Sequence, residues 1–105
     1  MAAVSSVLFL KPVPGRLEAL MRDIARAGKI IKRMGGSLRA HNEVSGPNAG
    51  TIALVIEHSD WKDYGNYMAK TETDKDWQSF IAELNSAKSP NAERVAIGLN
   101  VEVPS

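Results

Sequence analysis

The sequence predicts an α+β sandwich, in which a four-stranded antiparallel sheet carries helices on one face. Three observations predict it. Short runs of apolar or alternating residues occur near 4–10, 37–44, 51–58 and 94–103. Stretches with apolar residues at helical spacing separate the first run from the second and the third from the fourth. Glycine, proline and Ser/Asn clusters mark the boundaries. A length of 105 residues suits a single domain spanning 1–105.

The first run, Val4 to Leu10, is rich in β-favouring residues, and its continuity fits burial on both faces. Pro12 and Pro14 should end it, because proline cannot donate to a ladder. Arg16 to Met34 reads as a long helix, with Leu17, Leu20, Met21, Ile24, Ile31 and Met34 on one face and Ala27 and Gly28 within the stripe. Gly28 would be justified by a close approach to the sheet, and Gly35-Gly36 is a helix stop. Ser37 to Val44 alternates, placing Arg39, His41 and Glu43 opposite Leu38, Ala40 and Asn42. A turn at 45–50 then leads into Thr51 to His58, the second arm of a hairpin.

Ser59 or Asp60 caps the next helix, which shows Trp61, Tyr64 and Met68 on its apolar edge with Tyr67 alongside. A second helical piece should begin at Thr73, where Thr73 and Asp76 have capping-box spacing. Trp77, Phe80, Ile81 and Leu84 then follow at i, i+3, i+4 and i+7. In the last run, Val95, Ile97, Leu99, Val101 and Val103 alternate with Ala96, Gly98, Asn100 and Glu102.

The resulting order, βαββαβ, is the split pattern of a ferredoxin-like sandwich. Helices then cover one sheet face only. The other face carries Ala53, Val55, Ala96 and Gly98, a poor set for contact with water. A second copy related by twofold symmetry would cover it, so a homodimer, with the option of higher assembly, is expected.

Composition narrows the function classes. Apolar residues make up 44% of the chain, enough for a core. Without cysteine there is no disulfide, thiolate metal site or cysteine nucleophile, and a cytoplasmic setting is expected. No apolar run approaches the roughly 18 residues of a membrane span, so no membrane partner is expected. The net charge of +1 gives no global case for nucleic acid. Arg22, Arg26, Lys29 and Arg33 do form a basic stripe on the long helix, which is read as a solvated face. The sequence contains no phosphate loop, dinucleotide fingerprint, Ser-His-Asp order or zinc spacing.

Between Asp60 and Glu93 the chain resembles a known group. "DW..YG.Y" (Asp60, Trp61, Tyr64, Gly65, Tyr67), "D.DWQ.F" (Asp74, Asp76, Trp77, Gln78, Phe80) and "SPNAE" before the last strand are similar to NIPSNAP-like proteins. These belong to the dimeric α/β barrel superfamily, together with the antibiotic-biosynthesis-monooxygenase (ABM) type. The resemblance implies that two ferredoxin-like subunits pair their sheets into a dimeric α/β barrel. It implies, for an enzyme, cofactor-independent chemistry on a small organic molecule, either monooxygenase-like or proton transfer. The alternative is a non-catalytic ligand-binding or structural dimer module. Haem-handling relatives present a histidine from the second helix, and 61–84 contains none, so no cofactor is expected.

If the barrel forms, strand parity places Arg39, His41, Glu43, Thr51, Glu57 and Asn100 on its inner face or rim. Arg39 is then the candidate anion anchor and His41 the candidate acid/base. Glu57, Asn100, Tyr67 and Tyr64 are candidate pocket residues, the tyrosines implying a pocket between sheet and helices. The competing readings are a solvated edge-strand face for Arg39 and His41, and a core role for the tyrosines. His41 and His58 lie on adjacent strands without a carboxylate motif, which is poor evidence for a metal, and none is expected.

Overall fold

The computed structural model describes residues 2–104 of the chain. The elements are β1 (Val4–Pro12), α1 (Leu17–Arg33), β2 (Leu38–Asn42), β3 (Ile52–His58), α2 (Trp61–Thr73), α3 (Lys75–Ser86) and β4 (Ala92–Val101). The sheet order is β2-β3-β1-β4 with every pair antiparallel, which is the ferredoxin-like arrangement. The chain measures 42 × 36 × 17 Å, and the short dimension accommodates one helix layer on one sheet.

β1 runs two residues further than its prolines suggest. The ladder to β3 ends at Leu10 opposite Ile52, whereas the ladder to β4 continues until Pro12 faces Ala92. Pro12 therefore has a strand neighbour on one side only, where its missing N–H breaks no ladder. A bulge between Phe9 and Leu10 sets Leu10 opposite Arg94 and takes Val95 out of the simple alternation.

α1 supplies most of the core. Leu20 and Ile24 are buried with Ile52, and Leu10, Leu38, Leu54 and Ala92 pack around them. Ala27, Ile31 and Met34 are buried with Tyr67 and Phe80, flanked by Leu38, Ile56, Trp77 and Ile81. Each large apolar side chain buried this way contributes roughly 1.5–3 kcal/mol. The helix ends in a Schellman turn. Gly36 N–H donates to the Ile31 carbonyl, Gly35 N–H donates to that of Lys32, and Gly35 has φ +95°.

The second helical region breaks one residue later than the capping-box spacing suggests. Thr73 closes α2, and Asp74 caps α3 by accepting from Trp77 N–H at 2.9 Å. A carboxylate at that point outcompetes the Thr73 hydroxyl, because Asp74 also accepts a hydrogen bond from Arg33 Nη2 at 2.8 Å and lies 2.8 Å from Arg33 Nη1. At the other end of α2 the cap is Asp60, whose Oδ1 accepts from Asp63 N–H at 2.8 Å.

The close approach anticipated for Gly28 occurs at Gly36. A Cβ on Gly28 would meet Leu38 Cδ2 at 3.8 Å, an ordinary contact, whereas one on Gly36 would lie 2.8 Å from Ile31 Cγ2 and 3.0 Å from Tyr67 Cε1. Gly36→Ala is therefore expected to destabilise the chain by about 1–3 kcal/mol. Gly28→Ala should stabilise it by up to about 1 kcal/mol. Urea denaturation of the two variants checks both signs.

Candidate functional site

Residues opposite one another in an antiparallel ladder point to the same sheet face. Leu54 packs against α1, so its partners Leu8 and Ala40 are on the helix side. The face without helices then reads in rows across the strands. Glu57, Ser5 and Asn100 form one row; Arg39, Val55, Val7 and Gly98 the next; His41, Ala53, Phe9 and Ala96 the third. Lys11 and Glu93 follow at the far end. The face thus has an apolar centre between polar ends. Gly98 leaves a gap there, since a Cβ on it would meet nothing within 4 Å.

This face brings together four of the six residues singled out in the sequence: Arg39, His41, Glu57 and Asn100. Arg39 Nη2 lies 3.3 Å from Glu57 Oε2, with both side chains more than half exposed. Such a pair adds little stability, but it answers the charge of Arg39 from within the chain. His41 is exposed, two residues and about 7 Å along the strand from Arg39.

Tyr64 and Tyr67 lie on the opposite side of the sheet, so one pocket cannot hold all six residues. Tyr67 is 6% exposed and belongs to the α1 core, where desolvation pushes its hydroxyl up to about 12. Tyr64 is half-buried, edge-on to both Trp61 and His58. A pocket between sheet and helices lined by these tyrosines is replaced by packing. The sequence signal was present, because Tyr67 follows Tyr64 by three positions. The aromatic edge of α2 turns inward, beneath Gly36.

His58 was noted in the sequence only as a partner for His41. The sheet separates the two: His41 opposes Ala53 on the open face, while His58 opposes Val4 beneath α2. His58 is 2% exposed, and burial lowers its pKa against the weaker opposing effect of Asp63. Among the described residues no group of three or more His, Asp or Glu side chains could hold a metal ion.

No family model and no curated protein matches the chain. Solved structures do. A NIPSNAP family protein from Agrobacterium tumefaciens superposes with a TM-score of 0.69 at 15% identity, covering 100% of this chain and 94% of the other. A second from the same organism, described as having unknown function, gives 0.69 at 16% identity over 98% and 88%. A NIPSNAP domain protein from Burkholderia xenovorans gives 0.68 at 14% identity over 100% and 95%. The chain has a NIPSNAP-like fold.

Within this NIPSNAP-like chain the basic stripe of α1 is largely engaged by acidic residues. Arg26 pairs with Glu83 at 2.7 Å and sits 5.0 Å over the Phe80 ring. Arg22 lies 3.5 Å from Glu18, and Arg33 holds Asp74 and Asp76. The Arg33 hydrogen bond, with that from Trp77 N–H, holds the Asp74 carboxyl below its ordinary range.

The two faces should respond differently to truncation. Tyr67→Ala is expected to cost about 3–5 kcal/mol, as for a buried aromatic. His41→Ala and Glu57→Gln should each stay within about 1 kcal/mol of the parent. Thermal and urea unfolding of the three variants measures the contrast.

Proposed function

We propose that the chain acts as a homodimer in which two open sheet faces close into an α/β barrel around a small organic ligand. The observation that carries this reading is the apolar centre of the open face. Val7, Phe9, Ala53, Val55, Ala96 and Gly98 form a contiguous patch that no element of the chain covers. Closure by a second copy would remove that patch from water, and the gap at Gly98 would become enclosed space. In the enzymatic form, His41 moves a proton and Arg39 orients the substrate, with Asn100 and Glu57 at the rim. The chemistry is then of the cofactor-independent, ABM type. A cytoplasmic setting belongs to the same reading: the chain has no cysteine, and no helix among the described residues is long and apolar enough to cross a membrane.

One observation favours a non-catalytic binding or structural dimer. Arg39 already has a carboxylate partner in Glu57, so a substrate anion must compete for it. Turnover separates the two forms, since His41→Ala abolishes it in the enzyme and changes nothing in the binding module.

Native mass spectrometry of gently purified protein tests the common core. The expected result is a dimer carrying a reproducible extra small-molecule mass. Gly98→Leu should retain the dimer and lose that mass. A monomer at micromolar concentration overturns the barrel and every pocket assignment drawn from it.

A further inference from the structure

α2 is lightly held in the helix layer. It buries a single residue, Tyr67, while Trp61 and Met68 on its apolar edge are about half exposed. Gly65 lies mid-helix with open space where a Cβ would be, which costs α2 up to about 1 kcal/mol against alanine. Its other tethers lie at or near its C-terminal end: Lys70 Nζ to the Met34 carbonyl at 3.4 Å, the Gln78 side-chain amide to the Thr71 carbonyl, and the Asp74–Arg33 pair just beyond.

Beneath the first turns of α2 lies His58, the last residue of β3. Its ring centroid is 4.9 Å from that of Tyr67 and 5.3 Å from that of Tyr64. Nε2 is buried without a hydrogen-bond partner among the described residues, and Nδ1 lies 3.9 Å from Asp63 Oδ2, beyond hydrogen-bond range. Asp63 is the charged group of α2 that faces the ring, and it is already accepting from Ser59 N–H at 3.1 Å. From the strands, Val4 and Val101 share the row of His58 and carry no charge, and Glu57 points to the opposite face. The site thus suits a neutral imidazole. An imidazolium there would leave a buried N–H donor unpaired and a charge poorly compensated.

We propose that His58 is an acid-operated latch for α2: protonation of its imidazole releases α2 from the end of the sheet while the four strands and α1 stay folded. The release is local because Leu20, Ile24, Ile31 and Met34 keep α1 seated on the sheet, while α2 withdraws one buried residue, Tyr67, from the core. The sign follows from burial. The docked ring takes up a proton at lower pH than a free histidine, which titrates near 6.5. Docking is therefore fully stabilised above that pH and weakens as the pH falls below it. The clamp at Asp74 stays charged in that interval, since Arg33 holds its carboxyl below the ordinary range, so loss of the clamp does not mimic the latch.

Amide hydrogen exchange of the full chain at pH 7.5 and 5.0, normalised to unstructured rates at each pH, reads the release. Amides of 61–73 should lose protection by up to about tenfold for each pH unit between about 6.5 and the docked ring's lower midpoint, with no further loss below it, while those of β1 and β3 keep theirs. His58→Gln, which cannot charge, should show equal protection of α2 at both pH values. Asp63→Asn removes the carboxylate that favours the imidazolium in the docked state, so the loss of α2 protection at pH 5.0 should deepen. Undiminished α2 protection in the parent at pH 5.0, or the same loss in His58→Gln, overturns the proposal. Should His58→Gln fail to fold, Asp63→Asn decides alone, and a pH-dependent loss of α2 protection that shrinks or disappears in this variant assigns the titration to Asp63 and overturns the proposal equally.

Discussion

The apolar stripe of α1 is the contact on which the rest of the structure depends. Leu20 and Ile24 seat one end of the helix over Leu10, Ile52 and Ala92, and Ile31 and Met34 seat the other against Leu38, Tyr67 and Phe80. Both core clusters therefore run through one helix. Without it most of the helix-side face would lose its cover, and α3 would lose the surface that buries Phe80. The Schellman turn at Gly35-Gly36 then delivers the chain into β2 close to the last turn of that helix. The fit at Gly36 is tight enough to exclude a methyl group.

A single helix layer also dictates what stays open. One sheet face is used up by α1 and its neighbours. The other keeps an apolar centre with Arg39, His41, Glu57 and Asn100 around it. A third apolar surface has no such explanation. Ile97, Leu99 and Val101 belong by register to the helix side, yet each is more than 40% exposed, because β4 lies at the edge beyond the reach of the helices. The two apolar surfaces meet along β4, which, like β2, is an edge strand of the sheet.

Much of this was legible in the sequence. Period-2 and period-3.6 patterns located every element, and strand parity placed Arg39, His41, Glu57 and Asn100 on one face before any coordinates. What parity could not supply was context. The capping-box spacing at Thr73 was a fair signal, but it lost to Asp74, whose advantage comes from Arg33, 41 residues away in sequence. Pro12 looked like a terminator, and only the unequal lengths of the two β1 ladders explain why it is tolerated. Tyr67 looked like a residue free to line a pocket because it lies off the main apolar stripe of α2. Its burial depends on where α1 ends, which is a long-range fact. His58 follows Ile52, Leu54 and Ile56 at strand spacing, so its face was readable. Its enclosure by α2 was not.

Residues 57 and 58 connect the two sides of the molecule. Adjacent residues of a strand point to opposite faces, so the Glu57 row on the open face lies directly behind the His58 row beneath α2. Ser5 and Asn100 back onto Val4 and Val101 in the same way. The polar end of the open face therefore rests on a stretch of backbone whose other side is held by a neutral imidazole and two tyrosine rings. A charge placed on that imidazole acts on the strand that also orients Glu57 toward Arg39. This end of the sheet joins α2 to the polar side chains of the open face through one peptide unit.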